Sequence, residues 1–74
     1  MNKIGSVWRH MKTLHDYKII AVARSADNPD LFNIVYSSLE KSTIRGTGEP
    51  LPIGTCWIRK EDDFYASFQK ISDK

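Results

Sequence analysis

Three arginines and three large aromatic residues carry most of the chemistry open to this chain: Arg9, Arg24, Arg59, Trp8, Tyr36 and Trp57, with His10 next to the first pair. A guanidinium is a planar fork of donors that fits phosphate or carboxylate, and an aromatic face stacks a base or a cation. The set therefore points to an anionic partner, either a nucleotide-type small molecule or single-stranded nucleic acid. A structural reading competes with it. Aromatic residues dominate small cores, so Trp8 and Trp57 could be packing, and an arginine at a strand end can cover a rim with its aliphatic stem.

Nucleophilic chemistry has fewer supports. Cys56 with His10 or His15, and Asp16 to orient an imidazole, would make a Cys-His arrangement, since such sites are defined by geometry and not by order. Yet Cys56 stands between Thr55 and Trp57 in an apolar strand, where a thiol usually serves as a small buried hydrophobe. No catalytic constellation and no cofactor is expected. Cys-x-x-Cys and His-Glu-x-x-His spacings are missing, so no metal site is expected either. Gly46-Thr47-Gly48 lacks the Gly-Lys-Ser/Thr of a phosphate loop and reads as a flexible turn.

The elements that must position these residues are short strands. Tyr17 to Arg24 is the central one: Ile19, Ala21 and Ala23 point one way in an extended chain, Ile20 and Val22 the other, so both faces read as buried. Before it, Val7 to Lys12 alternates, with Val7, Arg9 and Met11 on one side and Trp8, His10 and Lys12 on the other, and Thr13 to Asp16 is a connection of hairpin length. After it, Ser25-Ala26-Asp27-Asn28-Pro29-Asp30 is dense in turn formers. Leu31 to Leu39 then sets Phe32, Ile34 and Tyr36 on one face, and Gly54 to Arg59 sets Cys56 and Ile58 opposite Trp57 and Arg59.

The tail has two readings. Phe64, Phe68 and Ile71 fall at helical spacing, with Asp62 placed as an N-cap and Asp63 in the first turn. The preferred reading is one helical turn at Asp62–Tyr65 followed by a strand at Ser67–Ile71, because four strands alone would leave two open edges. The expected fold is mainly β: a small SH3-like or Tudor-like barrel of four to five antiparallel strands with a short C-terminal helix or helical turn. Residues 1–74 form one domain, interrupted by a long loop at 40–53.

Length and charge narrow the class. With 74 residues the chain is near the lower size at which a core sustains itself, which makes homo-oligomerisation an attractive source of further burial. The single cysteine excludes an internal disulfide and fits a reducing compartment. No run is long and apolar enough for a membrane span, and Met1 to Ser6 lacks the apolar stretch of a signal peptide, so a cytoplasmic protein is expected. A net charge of +2 is mild beside that of many nucleic-acid binders.

Taken in order, Gly5, Trp8-Arg9-His10-Met11-Lys12, Tyr17, Ile20-Ala21-Val22-Ala23-Arg24, Val35-Tyr36, Trp57-Ile58-Arg59 and Phe64 resemble an uncharacterised bacterial and phage family, domain-of-unknown-function family 1653. Its pattern runs glycine, aromatic-Arg-His-aromatic-Lys, valine-alanine-arginine, valine-tyrosine and Trp-Val-Arg. The resemblance implies a small β-rich domain and brings no catalytic residues. Two departures stand out. Where the family often continues its second strand with His-Ser-Glu after the arginine, this chain has Ser25-Ala26-Asp27, and where the family has a short turn, this chain carries Glu40 to Ile53. That segment suggests a rival function, a protein-interaction module such as a phage inhibitor or adaptor of a host protein, acting through the loop and a strand edge.

Overall fold

A computed structural model describes residues 4–73. Its elements are β1 (Val7–His10), β2 (Asp16–Arg24), β3 (Phe32–Ser38), β4 (Ser42–Thr43), β5 (Pro50–Leu51), β6 (Cys56–Lys60), α1 (Glu61–Ser67) and β7 (Phe68–Ser72). Five strands pair in the order β6-β3-β2-β1-β7, every pair antiparallel, while β4 and β5 form a separate two-stranded hairpin. The five-stranded sheet is open, with β6 and β7 as its edges, and α1 is the link that carries the chain from one edge to the other. No helix among the described residues is long and apolar enough to cross a membrane.

The preferred reading of the tail holds in its order of elements, helix then strand, but the helix is Glu61–Ser67 and not a single turn at Asp62–Tyr65, and the strand is Phe68–Ser72. Asp62 is not the helix cap, however. The helix starts one residue earlier, with Lys60 at the N-cap position and no side-chain cap bond, and Glu61, Asp62 and Asp63 fill the first turn, where negative charge suits the helix dipole. One turn on, Phe64 and Phe68 stack at 4.2 Å between centroids. They bury completely or nearly so together with Ile19, Ile34 and Tyr36, and Trp8, Tyr17 and Tyr65 pack around them. Each such ring contributes roughly 1.5–3 kcal/mol of burial.

Cross-strand pairing assigns the faces, because directly opposed residues share one side of a sheet. Tyr36 opposes both Ile19 and Trp57, Ile34 opposes Val22 and Arg59, and Trp8 opposes Tyr17. These residues lie on the inner face, which α1 covers in part. The alternations expected for β3 and β6 are present, and that of the first strand holds over Val7–His10, whereas Met11 and Lys12 fall in the turn after it.

The central strand departs from expectation. Ile19 pairs with Tyr36 and Ala21 with Val35, so Ile20 is an extra residue, a β-bulge that reverses the faces beyond it. Ile19 and Val22 therefore share the inner face, and Ala21 joins the outer one. Nor is the strand buried on both sides: Ile20 and Val22 are exposed, because β1 accompanies β2 only over Asp16–Lys18 and leaves its second half with one neighbour.

The 40–53 segment is not a plain loop. It folds as the β4–β5 hairpin, with Ser42 opposite Leu51 and Thr43 opposite Pro50. Buried Ser38 anchors its base: the Ser38 N–H donates to the Thr55 carbonyl, the Ser38 carbonyl accepts from the Gly54 N–H, and the Ser38 hydroxyl donates to the Pro52 carbonyl. Before β1, Gly5, with φ of 95°, donates to the Ile19 carbonyl at 2.7 Å and the Ser6 carbonyl accepts from the Ile19 N–H. A side chain at that φ would be strained, so glycine is the natural occupant.

Candidate functional site

Four of the seven residues expected to act together do meet. His10, Tyr36, Trp57 and Arg59 line one cavity of about 190 Å³, joined by Thr13, Tyr17 and Phe68. β1 and β6, separated in the sheet by β2 and β3, both present side chains to it on the inner face, and β3 and β7 contribute Tyr36 and Phe68. The half-buried Arg59 crosses this cavity. Its Nε donates to the Tyr36 hydroxyl and its Nη1 to Ser67 Oγ, each at 3.3 Å, and its guanidinium carbon lies 5.4 Å from the centre of the Phe68 ring. Among the described residues no carboxylate neutralises it.

His10 is fixed from two directions. Its ring meets Phe68 edge-on at 4.9 Å, and its Nδ1 accepts from the backbone N–H groups of Lys12 and Thr13, both at 3.2 Å. With Nδ1 an acceptor, the neutral ring carries its proton on Nε2. Desolvation, and then the positive charges of Arg59, Lys12 and His15, hold the imidazole below its usual pKa of 6.5, so His10 is a neutral donor at pH 7. Tyr17 is shifted the other way: burial first, then Tyr36 and Glu40, push its phenol above the usual 10.0. It stays a neutral hydroxyl.

The small cavity opens into a wider groove of about 610 Å³, which shares Thr13, Tyr17 and Trp57 with it. One wall is the turn after β1, bearing Lys12 and His15; the other is the β4–β5 hairpin, with Arg45 at its tip. Trp57 sits at the junction, 38 % exposed, and its indole N–H donates to no group among the described residues. Neither compartment is lined by an aspartate or glutamate.

The other three expected residues are elsewhere, Arg9 by register and Arg24 and Trp8 by their place along the sheet. Arg9 alternates with Trp8 and His10 and so points to the outer face, where its guanidinium grips the Asp16 carboxylate, with Nε 2.8 Å from Oδ1. Arg24 lies at the far end of β2, over the Phe32 ring at 4.5 Å and donating to the Pro29 carbonyl at 2.8 Å. Trp8 is on the inner face but belongs to the packing: it meets Phe64 and Tyr65 at 5.3 and 5.4 Å, and its Nε1 donates to Ser6 Oγ at 2.9 Å. Cys56 is exposed and not buried as expected. It opposes Ser37 on the outer face, across the sheet from His10, so these two form no nucleophile pair.

Lys12, Thr13, Tyr17, Arg45 and Phe68 complete the site and were not foreseen. Tyr17 had a usable signal, since a hairpin between the first two strands sets it near Trp8; Arg45 had none, because nothing in the composition of 40–53 announces a hairpin. Among the described residues no three His, Cys, Asp or Glu gather to hold a metal ion. Set against known protein families, curated proteins and solved structures, the chain matches none.

Proposed function

We propose that this protein is a non-enzymatic binding module of the cytoplasm that takes an anionic, ring-bearing ligand of nucleotide type in the cleft beside Arg59. The observation that carries it is the state of Arg59: a half-buried guanidinium held between Tyr36, Phe68 and Ser67 with no carboxylate opposite, beside a partly exposed indole. A guanidinium held in place by two neutral acceptors, with no carboxylate beside it, has its planar fork available for a phosphate. His10 Nε2–H and the Tyr17 hydroxyl are neutral donors at the same place. In this reading the fold is an SH3-like or Tudor-like barrel left ajar between β6 and β7, with the cleft at the gap, and the likeness to domain-of-unknown-function family 1653 belongs with it.

Titration calorimetry with mononucleotides, cyclic dinucleotides and short single strands at low salt tests the reading. Binding that weakens at least tenfold in Arg59→Ala, with a folded spectrum retained, supports it. No heat from any of these ligands overturns it.

One observation favours the rival, a protein-interaction module of a phage inhibitor or adaptor: the 40–53 hairpin is ordered, and Ile53 at its base is 60 % exposed. Ile53→Ser should then abolish capture of a host protein while leaving anion binding intact.

A further inference from the structure

Building on the reading of the cleft, we infer that its ligand is a single-stranded nucleic acid that passes through the groove between two loops, contacting at least two successive phosphates. The argument starts from where the positive charges stand. Arg59 is at the inner end, beyond Trp57, whereas Lys12 and Arg45 stand at the outer end on opposite walls. A mononucleotide with one phosphate satisfies one end only. A strand satisfies both, with a base laid on the ring between them.

Three further features agree. The groove is wide where it holds Lys12 and Arg45 and narrow where it holds Arg59, so a chain can leave through the wide end. Its lining holds Lys12, Arg45 and Arg59 and no acidic side chain, the carboxylate that acts on Tyr17, Glu40, lying outside it, and the groove reads as an electrostatic funnel around a stacking platform. Trp57 is the platform: partly exposed, at the junction of the two compartments, with its indole N–H unengaged. Stacking tolerates any base, so weak sequence preference is expected.

The two walls are locally encoded. The β1–β2 turn has Leu14 at φ of 64° and is closed by the Leu14 N–H donating to the His10 carbonyl. The hairpin tip is closed by the Gly48 N–H donating to the Ile44 carbonyl and the Ile44 N–H to the Glu49 carbonyl, with Gly46 at φ of 95°. Each turn thus fixes the backbone that bears its cation, while the Lys12 and Arg45 side chains are exposed.

The test is a length series of oligothymidylates, from the mononucleotide to about eight residues, read by quenching of tryptophan fluorescence over a range of salt. Affinity is expected to rise at least tenfold from one to three nucleotides and then level off. Three phosphate-contacting cations give a log–log salt slope near −2, which Arg45→Ala and Lys12→Ala each reduce by about 0.7. Trp57→Ala should weaken binding by about tenfold or more and Trp57→Phe by less, because the ring face remains. If the mononucleotide binds as tightly as the longer strands, the strand is excluded and the anion cleft stands; if neither binds, both fail. Polyglutamate binding of equal strength, with no quenching of Trp57, would overturn the nucleic acid in favour of an acidic protein partner.

Discussion

Arg9 and Arg59 lie on opposite faces of one five-stranded sheet and show how differently the two faces are built. On the outer face Arg9 stands opposite Asp16 in register and its charge is matched in place. On the inner face Arg59 stands opposite Ile34, so its neighbours are the rings that the core supplies. One face matches its guanidinium with a carboxylate; on the other, no carboxylate among the described residues meets Arg59. The residue type is the same, and the neighbour across the strand decides what each charge meets.

The largest effect that separates the faces is on stability. Phe64→Ala removes a fully buried ring at the centre of the inner face and should cost about 3–5 kcal/mol, enough to unfold much of a protein this small. Ile58→Ala, on the outer face with 65 % of its surface exposed, should stay within about 0.5 kcal/mol. Urea denaturation followed by circular dichroism compares the two, and a similar loss from both would mean that the outer face is covered by a partner.

Next comes binding. Arg59→Ala should weaken the cleft's anion affinity at least tenfold, while Arg9→Ala leaves it unchanged, as measured by calorimetry at low salt. Equal losses would break the division of labour between the two arginines.

A smaller effect lies in the pH response. His10 should titrate below 6.5 in a proton–nitrogen correlation spectrum. Its folded pKa is depressed, so the stability supplied by the bonds to Nδ1 is present above 6.5 and lost as the pH falls through the folded value. His10→Gln should flatten that acid limb. Phosphate bound beside Arg59 should move the His10 titration upward, because it offsets the positive charge that holds it down.

Much of the fold was legible wherever a strand alternates without interruption. Phe32, Ile34 and Tyr36 announced the inner face of β3, and Trp57 and Arg59 announced that of β6; both follow from the two-residue period of an extended chain. β2 was misread because a single extra residue, Ile20, reverses every side chain after it, and isoleucine in a bulge looks like isoleucine in a strand. The site was half legible for the same reason. His10, Tyr36, Trp57 and Arg59 could be grouped by residue type, but excluding Arg9 required the register of β1, and including Lys12 and Arg45 required the positions of two turns, which are tertiary facts.

The pairing of β1 with β7 joins Val7 to Ser72 and His10 to Phe68, so the sheet cannot be finished until residues as far as Ser72 are available. A topology weighted toward such distant contacts folds slowly, in milliseconds to seconds. During synthesis the hairpins from β1 through β6 can form early, yet Ile19, Ile34 and Tyr36 stay uncovered until Phe64 and Phe68 arrive. Until then the inner face is half-roofed, and α1 with β7 is the latch that closes over it.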